Sequence, residues 1–130
     1  MAGEVTIRPA TTEEAEDAIA ILDGAILSFD RDAIRDPSPE TTVLLAITDR
    51  PVGAALVVET ELVAVAVRPR HRRRGIGTAL VRGCQDRRHA LELSADAALA
   101  PFYVECGFEL VDRADGRITG IWRSDDRLND

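Results

Sequence analysis

A chain of 130 residues with 23 acidic and 16 basic side chains is sized for one domain around a real core, and 1–130 reads as a single unit. Its formal charge of −7 argues against a nucleic-acid surface, and no apolar run approaches the ~20 residues that span a membrane. All sixteen basic residues are arginine, so a P-loop nucleotide site, which needs a lysine, is excluded.

The opening MAGEVTIRPA does not read as a signal peptide, and Cys84 and Cys106 stand at no metal or redox spacing. Reduced thiols, no metal and a cytoplasmic setting are the expectation. A GC-rich genome would favour arginine, and a halophile's high-salt cytoplasm would favour the acid excess.

Residues 4–10 (EVTIRPA) read as a short strand. Over 11–29 the pattern is helical: Thr11 and Glu14 have capping-box spacing, and Ala15, Ala18, Ile19, Leu22, Ile26 and Phe29 recur on one face. Gly24 interrupts it and admits a break into two shorter helices. Residues 30–40 read as a polar connection with two prolines. Three strands follow at 41–48, 52–59 and 62–69, each so uniformly apolar that helices are expected over both faces.

A helix over 75–88 buries Ile76, Leu80 and Cys84, and 89–95 reads as a strand. Residues 98–106 read as a short helix with Pro101 in its first turn and Gly107 as a left-handed cap. Strands at 108–113 and 117–124 close a hairpin around Ala114, Asp115 and Gly116. The segment 62–95 is strand, crossover helix, strand, which predicts a parallel pair. The fold class is α/β in the α+β sense: a mixed, mostly antiparallel sheet with one parallel unit and helices on both faces.

One stretch stands apart. VRPRHRRRGIGTAL, residues 67–80, holds Arg68, Arg70, Arg72, Arg73 and Arg74, while the other eleven arginines face all 23 acids. It lies at the carboxyl end of a strand of the parallel unit, where open α/β sheets place ligands. Three readings compete: a nucleic-acid patch, a solvated loop, and a cradle for a phosphorylated ligand. Aromatic interleaving is absent, which weakens the first. GxGxxG would need glycine where Leu80 stands, so the dinucleotide motif fails. Free N–H groups at a helix start, with Gly75 and Gly77 allowing close approach, favour the cradle.

The segment VAVRPRHRRRGIGTAL resembles the acetyl-CoA motif of the GNAT family of N-acetyltransferases: Gln or Arg, two residues, Gly, any residue, Gly or Ala. Here these are Arg72, Gly75 and Gly77, preceded by Val67 and Pro69. A second segment, ALAPFYVECGFELV, resembles the family's later motif through Phe102, Tyr103, Gly107 and Phe108. The order of elements agrees along essentially the whole chain.

The resemblance implies acetyl-CoA as cosubstrate and an amine of a small molecule or peptide as acceptor. It implies that the N–H groups of Arg73, Arg74, Gly75, Ile76, Gly77 and Thr78 hold the diphosphate. It also implies a strand pair that splays apart, so that Val65, Ala66 and Val67 offer backbone to the pantetheine, one N–H serving the oxyanion. Asp96 stands where the family often has asparagine. The subgroup that acetylates ribosomal-protein N-termini tends to place a glutamate where this chain has Leu91, with Glu92 on the opposite face.

Tyr103, the chain's only tyrosine, is the implied acid for the departing thiolate, against a reading as a ring packed on the sheet. Glu61 resembles the glutamate base of the histone-acetylating branch, against a turn residue, with a water chain as the other route. Phe102 and Phe108 read as core, His71 as exposed, His89 as structural and Cys84 as buried. The acceptor pocket is expected from 28–39, the turn before residue 61 and the terminal hairpin, with Asp30, Asp32 and Asp36 on its rim. A non-catalytic acyl-CoA-binding or regulatory module on the same fold is the alternative. A homodimer fits either reading; nucleic acid and membrane partners do not.

Overall fold

The structure is a computed structural model that describes residues 4–24 and 29–124. Its elements in chain order are β1 (Thr6–Pro9), α1 (Ala15–Asp23), α2 (Arg31–Arg35), β2 (Thr41–Ile47), β3 (Pro51–Val58), β4 (Glu61–Val67), α3 (Ile76–Gln85), β5 (Ala90–Asp96), α4 (Ala100–Glu105), β6 (Glu109–Ala114) and β7 (Arg117–Arg123). The seven strands form one sheet in the order β1-β2-β3-β4-β5-β7-β6. Every pairing is antiparallel except β4 with β5, the expected parallel unit.

Helices lie on both faces. One core fills the space between the sheet and α3 and α4, with Leu44, Leu80, Leu91, Leu93, Phe108 and Ile118 all at most 3% exposed. The other lies under α1 and α2, through Ile19, Leu22, Ile34, Leu45 and Leu56. Gly83 lets α3 approach closely, because a Cβ there would sit 2.9 Å from Leu44 Cδ1 and 3.0 Å from Ile7 Cγ2. Gly107 ends α4 at φ 95°, the left-handed cap read from the sequence.

Two readings need correction. Residues 30–40 are not all connection, because they contain α2. The Asp30 carboxylate accepts the Asp32 N–H at 2.9 Å, capping a five-residue helix whose one buried side chain is Ile34. Ion pairs Arg31–Asp23 and Arg35–Glu16 tie it to α1. One buried position cannot show a helical period, so the pattern was invisible. The second concerns β4. Strands β2 and β3 are buried on both faces, but β4 alternates, with Val63, Val65 and Val67 only half-buried. Beyond Glu61 its far neighbour, β5, no longer pairs with it, and Val65 and Val67 border a cleft. Helix α1 ends at Asp23 with Gly24 after it, while Ile26 and Ser28 lie outside the described residues. Among the described residues no helix is long and apolar enough to cross a membrane.

The capping pair before α1 is present: Thr11 N–H donates to Glu14 Oε1 at 2.9 Å. Arg8 forks onto both Glu14 oxygens at 2.8 and 2.7 Å. Arg8 first, then the Thr11 N–H, hold the Glu14 carboxyl down at about 2 against an ordinary 4.5. A depressed carboxyl stabilises the fold above its unfolded value and loses that contribution as pH falls toward its folded value. Glu14→Gln is therefore expected to melt lower than the parent at neutral pH, with the gap closing below about pH 4.5. Thermal melts across that range check it.

Candidate active site

Strands β4 and β5 touch at one register position, Glu61 opposite Glu92, with the Glu92 N–H donating to the Thr60 carbonyl at 2.8 Å. Beyond it β4 pairs only with β3, and the two parallel strands part. A bulge helps to bend β4 away: Leu56 pairs with Ala64 and Val57 with Leu62, leaving Val63 as the extra residue. Leu62, Val65 and Val67 pack on the α3 side, and Ala64 and Ala66 on the α1 side. Strand alternation before the bulge then puts Glu61 on the α1 face, opposite Val65 and Val67.

The strand leads into a tight turn, Pro69–His71, and then into two left-handed residues, Arg73 at φ 64° and Gly75 at φ 80°. Left-handed backbone costs roughly 1–2 kcal/mol for a residue with a Cβ, so Arg73 stores strain while Gly75 adopts the same region without it. Helix α3 starts next, its first internal bond running from the Ala79 N–H to the Gly75 carbonyl at 3.0 Å. Among the described residues the N–H groups of Ile76, Gly77 and Thr78 have no acceptor. They form a concentrated donor set at the positive end of the helix dipole.

The arginines around this turn are free of acid. None of Arg68, Arg70, Arg72, Arg73 and Arg74 pairs with a carboxylate among the described residues. Two are held by carbonyls: Arg72 Nε donates to Val67 O at 2.9 Å and Arg68 Nε to Pro51 O at 3.2 Å. The result is an open loop of net positive charge in an acidic protein.

Helix α4 supplies the other wall. Tyr103 is 7% exposed and stands edge-on between Phe102 (centroids 4.9 Å) and Phe108 (5.6 Å). Its hydroxyl has no hydrogen-bond partner among the described residues. Burial first, with the neighbouring Cys106 and Cys84 thiols adding, pushes the phenol up to about 12. It therefore keeps its proton throughout the neutral range. Burial likewise pushes the Cys84 thiol up to about 12, which removes it as a nucleophile at neutral pH.

These walls enclose a cleft of about 690 Å³. It gathers Val65, Ala66, Val67, Arg72, Arg73, Gly75, Gly77, Thr78 and Tyr103 from the sequence-derived set. Four other candidates lie off it. Ile76 is core at 5% exposed, Arg74 is exposed, and Asp96 spends its carboxylate on the Ala98 N–H at 2.8 Å. Glu61 is exposed where β4 and β5 meet.

The cleft adds Leu99, Phe102 and His71. Phe102 is thus half-buried on the cleft rather than plain core, His71 is half-buried rather than exposed, and His89 is exposed. The spacing of Leu99, Phe102 and Tyr103 along one helical face was the available signal for the first two.

The family model for the acetyltransferase (GNAT) domain matches residues 39–110, more than half of the chain. The chain belongs to the GNAT acetyltransferase family. Within that match lie β2 to β5, the loop, α3 and α4, which are the parts that build the cleft. Solved GNAT structures share the fold. The ribosomal-protein-S18-alanine N-acetyltransferase of Escherichia coli superposes with a TM-score of 0.75 at 20% identity, over 92% of this chain and 94% of that one. A spermidine N-acetyltransferase variant of Vibrio cholerae gives 0.73 at 14%, covering 96% of each chain. The PaiA N-acetyltransferase of Thermoplasma acidophilum, in complex with coenzyme A, gives 0.69 at 16%, over 93% and 99%. No curated protein sequence matches the chain.

Proposed function

We propose that this GNAT protein transfers an acetyl group from acetyl-CoA to an amine of a small molecule or peptide, directly and without an acetylated enzyme. The observation that carries the reading is the parted β4–β5 pair, closed at one end by acid-free, donor-rich backbone and walled by a protonated Tyr103. Two features of the cleft support the cofactor reading. Gly75 has open space where a Cβ would stand, and the N–H groups at the α3 start lack acceptors. When bound, the cofactor supplies an activated acetyl thioester.

The chain's own groups divide the remaining work. Backbone at Gly75, Ile76, Gly77 and Thr78 holds the diphosphate, with Arg72, Arg73 and Arg74 adding charge. The unpaired edge of β4 at Val65, Ala66 and Val67 offers donors and acceptors to the pantetheine, and an N–H where charge develops on the acetyl oxygen. Tyr103 holds a proton for the departing sulfur.

The base must remove a proton from an ammonium on the way in. Glu61 lies about 13 Å along β4 before Val65, at ~3.3 Å per residue, and across a bulge. We assign it to proton removal through water rather than by contact. Of the acids on the proposed acceptor rim, Asp32 pairs with Arg35 at 3.8 Å and the Asp30 carboxylate caps α2. Localisation in the cytoplasm and adaptation to high salt stay part of this reading.

An amine-library assay with thiol detection and product mass measurement tests the proposal. Thiol release that depends on a particular amine, with one acetyl gained by that amine, is expected. Tight coenzyme A binding with no acetylated amine would favour the regulatory module instead.

A further inference from the structure

His71 has no part in the assignments above, yet it borders the cleft beside Arg72 and Arg73. The Pro69–His71 turn fixes its backbone, with the His71 N–H on the Arg68 carbonyl at 2.9 Å. Its Nδ1 is buried and unpaired, the one buried side-chain nitrogen or oxygen without a hydrogen bond among the described residues. Orphaned N–H groups are rarer in protein interiors than orphaned acceptors. The ring proton therefore belongs on Nε2, leaving only a lone pair at the enclosed nitrogen.

Nε2 is not enclosed in this way and has no hydrogen bond within the described residues. It is the open polar atom of a half-buried ring at the edge of the cleft. Its neighbours are otherwise engaged. Arg68 and Arg72 turn back onto carbonyls, and the Asp49 carboxylate accepts from the Thr48 hydroxyl at 3.1 Å. The ring offers one positioned donor on a loop that also carries the guanidinium groups of Arg70, Arg73 and Arg74 and the backbone N–H groups of the α3 start.

We infer that His71 is a cofactor contact, its Nε2–H donating to a phosphate oxygen of the acyl-CoA cosubstrate. This rests on the acetyl-CoA reading of the cleft. A ring donor held by the turn adds one directed contact beside the forked donors of the arginines.

Calorimetric titration with free coenzyme A probes this without turnover. His71→Phe keeps the ring volume and removes both nitrogens, so the dissociation constant should rise roughly five- to tenfold. His71→Gln carries an amide N–H₂ near the position of Nε2 and should recover most of the loss. The Phe variant should melt no lower than the parent, because the orphaned nitrogen is gone. Ring nitrogen NMR of the parent should show Nε2 protonated and Nδ1 bare, with the His71 Nε2 signal moving on coenzyme A addition and the His89 signals still. Parent-like affinity in the Phe variant, or a proton on Nδ1, overturns the assignment while the cleft reading stands. A parent protein that fails to bind coenzyme A at all overturns the cleft reading itself.

Discussion

Gly77→Asp is expected to weaken acetyl-CoA binding at least about tenfold, roughly 1.4 kcal/mol, while the protein stays folded. The position tolerates a side chain. A Cβ there would lie 3.5 Å from Phe102 Cζ and 3.9 Å from Val67 Cγ2, both ordinary contacts. An acid in the first turn of α3 also suits the helix dipole, so stability should hold or rise slightly. The same carboxylate would occupy the donor-rich start of the helix and repel a diphosphate. Fold and affinity therefore separate cleanly. Calorimetry alongside a thermal melt reads both, and equal affinity in the folded variant would sink the site assignment.

Tyr103→Phe should leave acetyl-CoA affinity nearly unchanged and lower kcat on the order of 10²-fold, the usual scale for a lost general acid. A thiol resembling cysteine, with a pKa of about 8.5, leaves poorly as a bare thiolate near neutral pH. The Tyr103 phenol, pushed up to about 12 by burial, enters the step with its proton in place and can hydrogen-bond to the sulfur as negative charge develops there. Phenylalanine preserves the edge-on packing against Phe102 and Phe108, so the melting temperature should change little. Steady-state kinetics and affinity together decide between the acid and the packed ring. A kcat within a factor of about two of the parent would make Tyr103 a packing residue.

Much of this architecture is legible in the residues because local signals and packing agree. Uniformly apolar runs between Gly, Pro and Asp turns mark β2 and β3, and both are buried on two faces as such runs require. Arg72, Gly75 and Gly77 before an apolar helical period locate the loop and the start of α3. The parts that were not legible depend on register. The bulge at Val63 exists only in the pairing of β4 with β3, and nothing in the residues 61–67 announces it.

That bulge moves Glu61 to the other face, and the open side it borders turns β4 from a doubly covered strand into a half-exposed one. Helix α2 is not legible in the residues, because a cap and one buried isoleucine carry no period. His71 looked like another polar loop residue, since burial of one ring nitrogen is a property of the folded turn.

The proposed cofactor site is the parted β4–β5 pair. The structure also contains a hollow of about 530 Å³ lined by Arg82, Arg87, Arg88, His89 and Trp122. There Arg87 is spent on Gly83 O at 3.0 Å and Arg88 on Glu59 O at 2.7 Å and Glu40 O at 2.8 Å. Backbone amide NMR during an acetyl-CoA titration distinguishes the two directly. Shifts concentrated at Val65, Ala66, Val67, Gly75, Ile76, Gly77, Thr78 and Tyr103 are expected, with Arg87, Arg88 and His89 unmoved. Saturable shifts centred on Arg82, Arg87 and Arg88, with the α3 start unchanged, would contradict that assignment.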